Sequence, residues 1–187
     1  MVESIPKSIG NRSVVRLLGT GGMGNVYLVR DDKTKTEYAA KTLRRDISEK
    51  QPDFVERFKR EAMFAQRIRH PNLVAVYDYG FDEENGCHYI IMEYVSGGNL
   101  SDLLRKKGKL PIPEAVEITR QVAYGLAAAH QHGVVHRDIK PDNILFSNDG
   151  LPKLADLGVA KFSDQDPAST QTQSGTLLGT PAYMAPE

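Results

Sequence analysis

The run Gly19-Thr-Gly-Gly-Met-Gly24 constrains this chain more than any other stretch, because of what flanks it. Ser13–Leu18 (SVVRLL) before it and Val26–Arg30 (VYLVR) after it are β-rich, so the segment reads as strand, glycine turn, strand: a hairpin with a long, flexible tip. A dinucleotide-binding turn with the same glycine spacing opens into a helix, whereas a strand follows here. A P-loop needs Gly-Lys-Ser/Thr, which is absent from this stretch. The remaining mechanism is a flap in which backbone free of side chains folds close over nucleotide phosphates. Strand alternation then turns Val26 toward a base lying beneath the flap.

The chain continues in the same style. Glu37–Leu43 (EYAAKTL) predicts a third strand, and from Pro52 to Arg69 the period becomes helical, with Phe54, Phe58, Ala62, Ala65 and Ile68 on one face. His70-Pro71 stops that helix. Leu73–Tyr79 and His88–Val95 predict two more strands around the polar turn Asp82–Gly86, and the character shifts at Ser96-Gly97-Gly98. A short helix over Leu100–Lys107 precedes a long one that buries Ala115, Val116, Ile118, Val122, Leu126 and Ala129 and ends at Gly133. His130 and His132 in its last turn read as solvated. The polar stretch 164–175 reads as a mobile loop.

At 187 residues the chain suits one domain or two small lobes sharing a cleft. With 40% hydrophobic and 26% charged residues and a formal net charge of zero, no global field recruits nucleic acid or anionic lipid. Lys106, Lys107 and Lys109 form a basic cluster that reads as a solvated loop. The single cysteine, Cys87, makes no internal disulfide, and a structural zinc site needs more ligands. Neither a secretory signal nor an apolar run of membrane-spanning length is present, so the expectation is a soluble, cytoplasmic domain.

Six side chains carry the chemistry. Period two puts Lys41 on the inward face with Ala39, where an ammonium needs anions; Glu61, on the apolar face of its helix, is the candidate partner. His136-Arg-Asp-Ile-Lys-Pro-Asp-Asn143 brings Asp138, Lys140 and Asn143 into a small non-helical volume, which suits a hydroxyl nucleophile, a phosphoryl group and a metal ion in that order. Asp156-Leu-Gly158 adds a second carboxylate, so Asn143 and Asp156 supply the oxygen ligands that Mg²⁺ takes beside phosphates.

In this order the motifs resemble those of a protein kinase over essentially the whole chain, and HRDIKPDN, the run Thr170-Gln-Thr172 and GTPAYMAPE at 179–187 resemble the serine/threonine kinases of bacteria that share the eukaryotic fold. The resemblance implies an α+β, bilobal fold. Residues 1–95 are the complete N-lobe, a twisted antiparallel sheet with one helix bearing Glu61 and a hinge at its end; residues 96–187 are a partial helical C-lobe with catalytic loop, metal-binding loop and activation segment. It implies ATP and Mg²⁺ (or Mn²⁺) as cofactors and proteins bearing Ser or Thr as substrates. Leu18, Gly19, Gly21, Gly24 and Val26 would cover the nucleotide, and Lys41, oriented by Glu61, would hold its α- and β-phosphates. Met92 resembles the gatekeeper, Glu93 and Val95 would offer backbone groups to the base, and Ala39 and Leu145 would help sandwich it. Asp138 would be the base, Lys140 would touch the γ-phosphate, and Asn143 and Asp156 would bind the metal.

Lys140 beside Asp138, with Thr180 near both, resembles the serine/threonine branch. Arg137 is expected to be an unpaired buried charge that a phosphothreonine at 170 or 172 satisfies, with self-association as a route to autophosphorylation. Leu157 replaces the commoner phenylalanine and Ala65 a commonly larger residue, which implies a loosely packed stack with His136. The family continues with further helices and an arginine for Glu187, so the chain reads as a fragment of a longer kinase. The alternative is a truncated, non-catalytic nucleotide-binding pseudokinase or interaction module.

Overall fold

The computed structural model describes residues 5–50, 52–157 and 181–183, without the side chains of Asp53, Arg57, Glu61 and Pro181. Six strands form one antiparallel sheet in the order β1-β2-β3-β4-β6-β5: β1 (Ser8–Ile9), β2 (Arg12–Thr20), β3 (Asn25–Arg30), β4 (Glu37–Thr42), β5 (Val76–Asp82) and β6 (Cys87–Glu93). The expected strand at 73–79 starts three residues later, at Val76, and Leu73 instead forms an isolated parallel bridge with Leu154.

Helix α2 (Pro52–Ala65) lays Phe58, Ala62 and Ala65 against Leu43, Val74, Val76, Ile90 and Met92. Each large apolar side chain so buried contributes ~1.5–3 kcal/mol. The helix stops four residues short of the expected Arg69. Its last turn tightens, with Arg67 and Ile68 N–H bonding to Phe64 and Ala65 C=O, yet Ile68 is still buried. A helix that the sequence reading did not separate, α1 (Arg45–Lys50), precedes α2 and carries an Arg45–Glu49 ion pair one turn apart. The sheet is thus accompanied by two helices where one was expected.

Beyond the sheet, α3 (Leu100–Lys107) is capped by Asn99, whose Oδ1 accepts the Asp102 N–H at 2.7 Å. Helix α4 (Ile112–Gln131) buries Ile118, Val122 and Ala129 against Leu73, Ile144, Leu154 and Leu157. It ends in a paired set of bonds, Val134 N–H to Ala129 C=O and Gly133 N–H to His130 C=O, with Gly133 at φ 73°. The expectation for Val116 is corrected: it is 60% exposed, because it sits two positions before Ile118 and so turns to the opposite flank. A short ribbon, β7 (Ile144–Phe146) with β8 (Pro152–Leu154), lies between α4 and the sheet. No helix of the described residues is long and apolar enough to cross a membrane.

One buried carboxylate holds the far end of the sheet together. Asp82 accepts the Gly10 N–H on Oδ2 (2.7 Å) and the Asn85 N–H on Oδ1 (2.9 Å), tying β1 to the β5–β6 turn. Burial pushes its carboxyl up, but the hydrogen bonds from Asn85 and Gly10 outweigh that and hold it below the ordinary value. A depressed folded-state pKa contributes stability that is present above the unfolded value of about 4 and lost as pH falls through the folded one. Asp82→Asn places an amide NH₂ against a backbone N–H, so a loss of about 2 kcal/mol is expected at neutral pH. In urea titrations the gap from the parent should close as pH drops below about 4.

Candidate active site

The glycine turn is tighter than its sequence suggests. β2 and β3 pair as far as Thr20↔Asn25, and Gly21 N–H bonds Gly24 C=O at 2.8 Å, closing the tip. A Cβ added at Gly19 or Gly22 meets nothing within 4 Å, so space alone does not require glycine at these two positions. Gly24 differs: its Cβ would sit 1.7 Å from the Thr42 carbonyl oxygen, where the loop crosses the end of β4. Gly24→Ala must therefore push loop and strand apart, at an expected cost of about 3 kcal/mol in thermal or urea unfolding, whereas Gly22→Ala should leave stability within about 1 kcal/mol.

Below the loop, β4 presents Ala39 and Lys41 on one face, as period two requires. Lys41 Nζ lies 2.7 Å from Asp156 Oδ1, with the lysine side chain 15% and the aspartate 40% exposed. The reading that pairs Lys41 with Glu61 falls on a side chain outside the described residues; the partner seen among the described ones, Asp156, comes from after β8. Burial pushes the Asp156 carboxyl up, but the Lys41 ammonium, by charge and by hydrogen bond, and Lys140 at longer range hold it below the ordinary value.

Asp138 and Lys140 follow α4 on a loop that ends in one turn of 3-10 helix, Pro141–Asn143. Lys140 Nζ is 3.0 Å from Asp138 Oδ2. Asn143 Nδ2 donates to the Asp138 carbonyl at 2.8 Å, which turns its amide oxygen the other way. His136, 1% exposed, joins this loop to the Asp156 segment: Nε2 meets Ala155 C=O at 2.7 Å and Nδ1 accepts the Asp138 N–H at 3.2 Å. Arg137 (φ 62°) and Asp156 (φ 58°) both take the left-handed region, at a cost of roughly 1–2 kcal/mol each. Such conformations persist only where the surroundings over-determine them. Arg137 is half-buried and already has an interaction, so its expected unpaired state is corrected.

These groups open on one cleft. A chamber of about 690 Å³ is lined by Gly19, Gly21, Gly24, Val26, Lys41, Asp138, Lys140 and Asp156. A neighbouring one of about 530 Å³ is lined by Leu18, Ala39, Met92, Glu93, Val95, Asn143 and Leu145. Asp142 and Asp156 border both. Behind Met92 a crevice of about 20 Å³ touches Ala65 and Leu157, so the small Ala65 leaves a gap beside the buried Leu157. Asn99, Asp102, Asp142 and Tyr94 also line the cleft and went unassigned in the sequence; the cap pattern of Asn99 with Asp102 was the one available signal. Thr170, Thr172 and Thr180, like Gly158 and Glu187, lie outside the described residues.

A family model described as "Protein kinase domain" matches residues 12–187. Serine/threonine-protein kinase PknA of Mycobacterium tuberculosis is 39% identical over 181 residues, covering 95% of this chain and 41% of that protein. Serine/threonine-protein kinase PrkC of Bacillus subtilis is 41% identical over 178 residues, covering 95% of this chain and 26% of that protein. The chain thus spans less than half the length of these curated relatives. The crystal structure of the M. tuberculosis PknI kinase domain superposes with a TM-score of 0.73 at 33% identity, covering 84% of this chain and 63% of that one.

Proposed function

We propose that this chain, which belongs to the protein kinase domain family, is a serine/threonine protein kinase that transfers the γ-phosphoryl group of ATP to a protein hydroxyl. The observation that carries the reading is the meeting of two ion pairs, Lys41–Asp156 and Asp138–Lys140, in one cleft beneath a glycine loop. We take residues 1–95 as the N-lobe and 96–187 as the C-lobe portion, with the cleft between them.

The residues present fit the nucleotide and the metal. Leu18, Val26, Ala39 and Leu145 offer apolar surface to a flat base, Met92 closes the back, and Glu93 and Val95 bring backbone groups to its edge. Gly19, Gly21 and Gly24 leave backbone over the phosphates. Among the described residues no group of three or more His, Cys, Asp or Glu can hold a metal. Asn143, whose Nδ2 is tied to the Asp138 carbonyl, and the Asp156 carboxylate in the same cleft offer the oxygen ligands of a Mg²⁺ ion shared with phosphate oxygens. ATP would be the phosphoryl donor, with ADP as the leaving group, and the Mg²⁺ ion held by Asn143 and Asp156 would offset the phosphate charge. Lys41 holds the α- and β-phosphates, and Asp138 accepts the hydroxyl proton as the new O–P bond forms. Lys140 balances the charge on the group in transit.

Lys140 two residues from Asp138, and the serine/threonine kinases PknA and PrkC among the relatives, support hydroxyls of Ser and Thr as acceptors. Thr180 is assigned to the acceptor site and Thr170 and Thr172 to autophosphorylation between two associating copies, whose phosphates compete for Arg137. Glu61 orients Lys41 in the active arrangement, and the cytoplasm is the compartment of action. Incubation with Mg-ATP followed by mass spectrometry is expected to find phosphate on Thr170 and Thr172; an active preparation with both unmodified contradicts the regulatory part of this reading.

A further inference from the structure

An ion pair outside the phosphate chamber joins the end of β6 to the β7–β8 ribbon. Lys153, in the middle of β8, is 13% exposed, and its Nζ lies 3.0 Å from Glu93 Oε1 and 3.1 Å from Oε2. Glu93 ends β6 and is 26% exposed. Its Oε2 also accepts the Ala75 N–H at 3.3 Å, while its own N–H donates to Ala75 C=O at 2.8 Å. The carboxylate is thus held from the ribbon by Lys153 and from the segment before β5 by Ala75.

That segment is itself stitched to the ribbon. Val74 N–H bonds Leu154 C=O, Leu154 N–H bonds Asn72 C=O, and Asn72 Nδ2 reaches Pro152 C=O and Gln121 Oε1. Across β7–β8, Lys153 pairs with Leu145, which lines the same chamber as Glu93. The link therefore ties the strand at the edge of the slot in which, on the reading above, the adenine lies to the ribbon that carries its floor.

We infer that Lys153 is a positioning residue for nucleotide binding: by clamping Glu93 it fixes the path of residues 93–95 relative to Leu145, and so the width of the base slot. Drift is costly for an ammonium that is 13% exposed, because separation from Glu93 takes away the carboxylate that compensates its burial. The phosphate and hydroxyl chemistry lies elsewhere in the cleft, so the effect falls on nucleotide affinity more than on turnover.

The inference rests on the kinase reading, and the test separates the two. A fluorescent ADP analogue is titrated into the parent, Lys153→Met and Lys153→Arg proteins, with KM for ATP, kcat and thermal midpoint measured in parallel. Lys153→Met is expected to weaken analogue binding about tenfold and raise KM in step, with kcat within about threefold, while Lys153→Arg stays within about twofold of the parent. A folded Lys153→Met protein that binds within about twofold of the parent overturns the inference, even if its thermal midpoint falls. Should Lys153→Met not fold, Glu93→Gln, which keeps an acceptor for Ala75, carries the test: about threefold weaker binding supports the clamp and unchanged binding overturns it. A parent that binds no nucleotide overturns the kinase reading itself.

Discussion

Asp138→Asn is expected to lower phosphate transfer by about 10³-fold while the protein still folds and binds ATP. The substitution keeps the shape of the side chain and its carbonyl acceptor, and the shorter loop bonds, from Asn143 Nδ2 to the Asp138 carbonyl and from the Asp138 N–H to His136 Nδ1, run through the backbone. What disappears is the negative charge 3.0 Å from Lys140 Nζ, and with it the group that takes a hydroxyl proton. An asparagine variant that transfers phosphate at the parental rate removes Asp138 from the chemistry. Equal nucleotide affinity in the two proteins is the control that keeps the result from being one of misfolding.

Lys41→Met carries the second large effect, for two reasons that a pH profile separates. It removes the ammonium assigned to the α- and β-phosphates, a loss of about 10²–10³-fold in transfer. It also strips Asp156 of the partner at 2.7 Å that holds its carboxyl below the ordinary value. In the parent, Asp156 stays ionised down to below about pH 4, the ordinary carboxylate range, so its capacity for a metal persists in mild acid. Without Lys41 the largest influence opposing burial is gone, with only the weaker ones of His136 and Lys140 left, and the acid limb of Mg-dependent nucleotide binding should move toward neutral pH. Binding titrations between pH 4 and 7 check this; an acid limb that stays in place shows that Lys41 does not set the ionisation of Asp156.

The parts of this molecule that were legible in the sequence are those fixed by neighbours along the chain. Alternation over β4 put Lys41 beside Ala39, helical spacing put Phe58, Ala62 and Ala65 on one face, and Gly133 marked the end of α4. The ordered motifs carried the rest of the cleft, because each is a short loop whose residues reach a common point. Helix α1 escaped because six mostly polar residues show no period. Val116 was misassigned because apolar character alone does not fix which flank of a helix is covered.

Long-range partners escaped for a different reason. Lys41 and Asp156 are 115 residues apart, and Glu93 and Lys153 are 60 apart, so no local pattern announces either pair. Lys153 in particular reads as an ordinary polar residue in a short strand until β8 is set against the end of β6. Gly24 shows the same limit in a motif that was recognised. Its spacing placed it over the phosphates, yet its contact with the Thr42 carbonyl gives it a structural duty that the spacing does not express.

The central claim is that this cleft passes phosphate from ATP to serine and threonine hydroxyls. Its most direct test is incubation with γ-labelled ATP, Mg²⁺ and a basic acceptor protein, followed by acid hydrolysis and separation of the phosphoamino acids. Labelled phosphoserine or phosphothreonine is predicted, absent with Asp138→Asn and absent when the metal is chelated. A folded, ATP-binding protein that labels neither residue, or labels tyrosine alone, contradicts the account.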